Sequence, residues 1–187
     1  MIISNSTLGA EVVSLPSTVK VWDPFVRIFH WSLVALFAVA FVTGDEVARL
    51  HIWAGSAIAA LVALRFIWGV FGPRYARFAT FVTGPSGVLT YLKQSTRLEA
   101  PRHLGHHPAG GAMILALLLL LVGVSVTGFA LTTAAFSRSE FMEEIHEVLA
   151  NITLALVVLH VLGVIVASLA HGENLVGAMI TGRKRAD

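Results

Sequence analysis

The sequence predicts an all-α integral membrane protein, a four-helix bundle, and two observations carry that prediction. The chain has 187 residues, of which 56% are hydrophobic and only 13% charged, with a mean hydropathy of +0.80. A soluble domain carries about 25% charged residues. Four apolar segments, at about 25–44, 51–71, 110–132 and 144–170, are each long enough to cross a hydrocarbon core of about 30 Å. The chain then divides into an N-terminal tail over 1–20, a membrane domain over 21–182 and a basic C-terminal tail over 183–187.

Composition also excludes. With no cysteine, the chain forms no disulfide, holds no iron–sulfur cluster through thiolates and attaches no haem through Cys-x-x-Cys-His. Eight histidines are many for so charge-poor a chain. The residues before Pro16 lack a basic region and a small-residue cleavage site, so no signal peptide is expected. Arg183-Lys184-Arg185 and the pI near 9.4 read as topology signals rather than nucleic-acid contacts in a membrane chain.

In order, Trp22-Asp23-Pro24 reads as a helix start, with Asp23 as N-cap and Pro24 at the first helical position. The first span runs to Gly44, and Trp22 and Trp31 suit an interface belt. A short turn with Asp45, Glu46 and Arg49 leads to His51 and the second span, which Gly72-Pro73 closes; so short a connection makes the first two spans antiparallel neighbours. Residues 74–108 are the longest polar stretch, within which Gly84 to Lys93 suggests a short helix lying on the membrane surface. Gly110-Gly111 opens the third span. A turn carrying Arg138, Glu140, Glu143 and Glu144 leads into the fourth. Ten Lys and Arg residues flank the side holding both termini and the long loop, against Arg49 and Arg138 on the other side. That places both termini in the cytoplasm.

The histidines carry the chemistry. His146 and His160 are 14 residues apart on the fourth span, a rise of about 21 Å with side chains about 40° apart. His51 opens the second span beside His146, and His30 lies 14 residues before the turn at Gly44, at the depth of His160. Two pairs result, His51 with His146 and His30 with His160, each on two helices at one level. Such a pair grips a planar cofactor from both faces, and a haem iron so held has no open position, which favours electron transfer. The bundle is thus expected to bind two haems. Arg65 lies at the inner level; a haem propionate is a natural partner for it, with snorkelling as the alternative. Arg27, one turn before His30, can act likewise. Gly55, Gly163, Gly44 and Gly128 lie near the ligands and let a flat macrocycle approach. His171 falls near the inner headgroup level, where it contacts a propionate or quinone or is a plain interfacial side chain. His103, His106 and His107 are expected in a solvated loop touching headgroups or a haem edge, rather than in a metal site. Glu143, Glu144 and Glu147 read as a solvated helix start.

At these residues a resemblance emerges. Val21-Trp-Asp-Pro-Phe-Val-Arg-Ile-Phe-His30-Trp31, His51, Trp68-Gly-Val-Phe-Gly-Pro-Arg74, Gly105-His-His-Pro-Ala-Gly-Gly111, His146-Glu and His160, with Ser168-Leu-Ala-His171-Gly-Glu-Asn, resemble the bacterial cytochrome b561 family, which includes the b-type cytochrome subunits of nickel–iron hydrogenases. The resemblance spans about Val19 to Arg185. It implies two non-covalent b haems, one near each membrane face, with ligands from the first, second and fourth spans. It further implies electron transfer between quinone (ubiquinone or menaquinone) and a periplasmic redox protein, commonly a c-type cytochrome; one branch is implied to oxidise superoxide with quinone as acceptor. Where the family loop usually reads Gly-His-Asn-Pro, this chain has Gly105-His106-His107-Pro108.

The expected function is therefore a multi-pass, di-haem electron carrier of the bacterial inner membrane. Its expected partners are lipid, quinone and a periplasmic redox protein, with no nucleic acid and with a homodimer left open. The alternatives are a superoxide:quinone oxidoreductase of the same fold, against which the acidic outer loops argue mildly, and a His-lined divalent-metal transporter, whose ligands would gather near the midplane.

Overall fold

The computed structural model describes residues 18–44, 46–97 and 101–186. Most of the expected N-terminal tail, and Asp45 of the first turn, lie outside the described residues. Four helices have the length and composition to cross a membrane: α1 (Pro24–Thr43), α2 (Ala48–Phe71), α4 (Pro108–Leu131) and α5 (Glu140–His171). Between α2 and α4 lie two 3₁₀ turns, Arg74–Ala76 and Phe78–Thr80, and the short helix α3 (Pro85–Thr96). After α5 come α6 (Leu175–Thr181) and the strand β2 (Arg183–Arg185), which pairs antiparallel with β1 (Thr18–Lys20) so that Val19 faces Lys184.

The helix ends follow local chemistry. Asp23 Oδ1 accepts from the Val26 amide at 3.2 Å and Pro24 occupies the first helical position. Helix α4 starts at Pro108, ahead of the expected Gly110, because the His107 side chain caps it: Nδ1 accepts from the Gly110 amide at 3.0 Å. Helix α5 starts at Glu140 rather than 144, because Ser139 Oγ accepts from the Met142 amide and Glu140 and Glu143 complement the helix dipole in the first turn. It ends at Gly172, whose φ of 57° favours glycine.

The helices pack in the order α1, α2, α4, α5. Phe29 and Ala40 of α1, Ala54, Ile58 and Val62 of α2, and Leu118 and Leu121 of α4 form the main core. Helix α5 contributes nothing to it; Thr153 is its buried residue and bonds its own helix at the Leu149 carbonyl. Helix α5 therefore lies along α4 without closing its face onto the core of α1 and α2.

The paired strands β1 and β2 lie at the end of the bundle where α1 begins and α5 ends, here the terminal face; the connections from α1 to α2 and from α4 to α5 lie at the opposite end, the distal face. The basic tail does not end as free charge. Lys184 and Glu173 are both buried and paired at 3.3 Å, and Arg102 Nη2 reaches Glu173 Oε1 at 3.0 Å. Lys184 Nζ also donates to the His103 carbonyl, and the Arg185 amide donates to Glu173. Burial would raise the Glu173 carboxyl, but the bonds from Arg102 and Lys184 outweigh it and hold it below the usual range; at Lys184 burial dominates and lowers the ammonium. This clasp ties the loop before α4 to Glu173 after α5 and to β2. Neither α6 nor the ribbon was expected from the sequence, because each is too short to show a period.

Candidate functional site

Near the distal face, His51 in the first turn of α2 and His146 near the start of α5 bridge the space between those helices. Their ring centroids lie 5.9 Å apart with planes at 79°. Each ring is fixed through Nδ1. His51 Nδ1 lies 2.8 Å from the Ala40 carbonyl, which only accepts, so this nitrogen carries the proton. His146 Nδ1 lies 2.9 Å from Thr127 Oγ1. The Thr127 hydroxyl donates to the Gly123 carbonyl at 2.9 Å, which leaves its oxygen to accept from His146. Both imidazoles are thereby held as Nδ1–H tautomers, with the Nε2 lone pairs left over. This is the usual arrangement of a metal-bound histidine, whose second nitrogen donates to a carbonyl or other acceptor. Two imidazoles on opposite sides of one iron, each nitrogen about 2 Å from it, place their centroids about 6 Å apart, so the residues present fit a bis-histidine haem. A Cβ at Gly128 would come within 2.9 Å of His146 Cε1; the ring occupies that position because the residue is glycine. Gly55, one turn after His51, has nothing within 4 Å of an ideal Cβ, and neither does Gly163, one turn after His160. Space is open beside both.

Nearer the terminal face, His30 of α1 and His160 of α5 lie close enough for their charges to couple. His30 rests edge-on against Trp31 at 5.1 Å, and its Nδ1 is buried without a partner. Arg65 is 3% exposed, so it does not snorkel. Its Nη2 donates to the Ala76 carbonyl at 3.0 Å and its guanidinium lies 4.8 Å from the centre of the Phe78 ring. Gly69, one turn on, admits that ring, which a Cβ there would overlap. Arg65 Nη1 has no partner.

The three loop histidines take separate places. His106 sits between Trp22 (4.5 Å) and Phe81 (4.7 Å), with Nδ1 buried and unpartnered. Burial, together with the charges of Arg65, His107, Lys184 and His160, pushes it down to about 3. His107 stacks on Tyr91 at 4.6 Å and 13° and is pushed down to about 4, chiefly by burial. His103 meets the edge of Tyr91 and bonds the Pro101 carbonyl through Nδ1. A solvated loop is thus not what these residues form: His106 and His107 are packed and neutral. Among the described residues no group of three metal-ligating side chains gathers. His171 closes the last turn of α5 and lies within electrostatic reach of His107.

Among the described residues six buried side-chain nitrogens have no partner: Arg27 Nε, His30 Nδ1, Arg65 Nη1, Trp68 Nε1, Arg102 Nε and His106 Nδ1. Arg27 and His30 lie in the first turns of α1, Arg65 and Trp68 in the last turns of α2, and Arg102 and His106 in the loop before α4, all toward the terminal face. Those of Arg27, Arg65, Trp68 and Arg102 are donors, and a buried donor left unpaired costs about 1–3 kcal/mol, so their concentration at one end fits an acceptor-rich group there, as the carboxylates of a haem are. Trp68, His106 and Thr127 were not among the expected site residues. Trp68 and His106 fall within the family-like motifs quoted above, whereas Thr127 is a threonine of an apolar span, expected only to bond its own helix, which it also does at the Gly123 carbonyl.

A family profile described as prokaryotic cytochrome b561 matches residues 21–182. The chain is 28% identical to the probable Ni/Fe-hydrogenase 1 B-type cytochrome subunit of Escherichia coli strain K12, over 59% of each chain, and equally to that of Escherichia coli O157:H7. The match thus spans about three-fifths of the length of these curated relatives. No solved structure shows significant similarity.

Proposed function

The chain belongs to the prokaryotic cytochrome b561 family, and from that premise we propose that it is a two-haem electron carrier of the bacterial inner membrane, exchanging electrons between the quinone pool and a periplasmic redox protein such as a c-type cytochrome. Membership makes it a multi-pass membrane b-type cytochrome of electron transfer, with haem b as its group. In the proposal His51 and His146 hold one haem, and His30 and His160 the other. The observation that carries it is the distal pair: two facing imidazoles 5.9 Å apart, each with Nδ1–H already committed.

Haem iron with imidazole on both sides gains and loses one electron without offering an open site to substrate. The chain's own part is positioning. Ala40 and Thr127 hold the distal rings in one orientation, which limits rearrangement between oxidation states. Helix α5 is the strut, setting its two histidines about 21 Å apart along the axis. Leu118 and Leu121 keep the neighbouring core apolar and dry. The excess of Lys and Arg on the terminal face supports a cytoplasmic placement of both termini. His171 and the surface around it then lie where a quinone headgroup is met. The distal face exposes Glu46, Glu140, Glu143 and Glu144 against Arg49 and Arg138, which suits a cationic protein partner better than the superoxide anion.

Optical spectra of the purified protein, oxidised and dithionite-reduced, with a haem-to-chain ratio, test the proposal. A sharp reduced α-band and a ratio near two are expected, with His160→Ala losing one haem and His146→Ala the other. No haem would sink the carrier; a ratio of one would remove one pair.

A further inference from the structure

The two ends of the site differ in charge and in the state of their donors. At the distal pair both Nδ1–H groups are satisfied within the protein. At the terminal-face end, Arg65 Nη1, Arg27 Nε, Trp68 Nε1 and His106 Nδ1 are buried and unsatisfied. They belong to one contiguous patch. Arg65 lies over Phe78, Phe78 touches Phe81, and Phe81 touches His106. His106 packs on Trp22, and a Cβ at Gly182 would meet both the Trp22 carbonyl and the Arg27 side chain. Trp68 lies one turn after Arg65 and packs against Phe25 at 4.6 Å. The buried carboxylate of this region does not neutralise them: Glu173 is occupied by Arg102 and Lys184. Asp23 is within electrostatic reach of Arg65, but its Oδ1 caps α1.

We propose that Arg65, Arg27, Trp68 and His106 form the cradle for the carboxylates of the terminal-face haem, and that the positive charge of Arg65 and Arg27 gives this haem the higher reduction potential of the two. The inference rests on the two-haem reading above. An added electron carries negative charge, and a buried guanidinium nearby favours it, the more so in a region of low dielectric. Among the described residues the distal pair has no buried cation beside it; Arg49 and Arg138 are exposed. At equilibrium a single electron therefore resides on the terminal-face haem, the side proposed to meet quinone.

Potentiometric titration of the purified holoprotein, followed optically, reads this directly. Wild-type protein should titrate as two one-electron components with two haems per chain. His160→Ala should remove the upper component and His146→Ala the lower. Arg65→Gln should shift the reduction equilibrium of the upper component at least tenfold toward the oxidised form, 59 mV for a one-electron couple, or release that haem alone, and Arg65→Lys should recover most of the loss. Trp68→Phe, which removes only the N–H, is the milder variant and should move the same component in the same direction. A wild-type ratio below two would overturn the two-haem reading itself. Two haems with an unmoved upper component in Arg65→Gln, or loss of the lower component in His160→Ala, would overturn the cradle and leave the two-haem reading standing. Unmoved potentials with lost quinone reactivity would overturn it too, by assigning these donors to quinone.

Discussion

Replacing Thr127 by Val removes one oxygen from the distal pair and little else, because the two side chains have nearly the same shape. Its hydroxyl donates to the Gly123 carbonyl, and the hydroxyl oxygen accepts from His146 Nδ1 at 2.9 Å. Gly123 lies within helix α4 and keeps its helical partner. The loss therefore falls on His146, whose Nδ1–H loses its hydroxyl acceptor in partly buried surroundings. A buried donor that loses its partner costs up to about 1–3 kcal/mol. Removal of an outer partner of a metal-bound histidine lowers metal affinity about 10–100-fold, and at about 1.4 kcal/mol per tenfold this falls in the same range. Haem transfer to an excess of a high-affinity apoprotein, followed optically, measures the effect as a release rate. One of the two haems should leave about 10–100 times faster from Thr127→Val than from wild type, while the other is unchanged. Thr127→Ser, which keeps the hydroxyl, should restore the slow rate. A Val variant that retains both haems at the wild-type rate would show that this hydroxyl does not hold the ring. Equal losses in Val and Ser would assign the effect to packing instead.

Two further outcomes follow from single contacts. In Gly128→Ala the new Cβ would stand 2.9 Å from His146 Cε1, so the ring must move off Thr127; the haem-to-chain ratio should fall from two toward one with helical circular dichroism unchanged, and an unaltered ratio would refute the close fit. His107 is pushed down to about 4, by burial first and then by the charges of His103, Lys184 and His171, while its unfolded form titrates near 6.5. The unfolded chain binds the extra proton between these values, so this contribution to stability is complete above pH 6.5 and is lost as pH falls toward 4, by about 1.4 kcal/mol per pH unit. Asn caps a helix equally well and does not titrate. Thermal melts of His107→Asn should therefore show a flatter pH profile across that window than wild type, and identical profiles would refute the assignment.

The parts of this molecule that are legible in its sequence are those written as length and period. Four apolar runs define four spans because lipid demands a continuous helix, and Asp23-Pro24 marks its helix start through chemistry local to three residues. The ends that moved, at His107 and Ser139, moved because a side chain captured a free amide one turn ahead. A histidine cap at His107 is an uncommon choice, and the eye passes to Gly110. Helix α6 and the ribbon of β1 and β2 were hidden because they depend on partners 165 residues apart, such as Arg183 with Thr18. The charge run Arg183-Lys184-Arg185 concealed Lys184 as a buried partner of Glu173, since pairing of this kind leaves no periodicity. At the site, depth arithmetic brings out the histidines, but not the atoms that orient them: a backbone carbonyl at Ala40 has no sequence signature, and Thr127 is one threonine among several.

The packing of α5 is the step that joins fold to function. In an all-apolar bundle the helix with the longest run should bury most, because lipid gives it no reason to leave neighbouring helices and packing gives it a reason to approach. Helix α5 is the longest, 32 residues, yet it adds no residue to the main core and packs chiefly on α4. What it directs toward α1 and α2 are imidazoles and, beside one of them, a glycine with open space. A face built in this way is poor at holding helices together and good at holding a flat, apolar group between them. Cofactor insertion should then supply much of the burial that α5 lacks, and the apoprotein should open at this helix first. Native-state hydrogen exchange on protein made with and without haem supply would check this: protection should be lost across α5 in the apoprotein and kept in α1, α2 and α4, whereas uniform protection in both would mean that α5 is held by contacts other than the group it is shaped to grip.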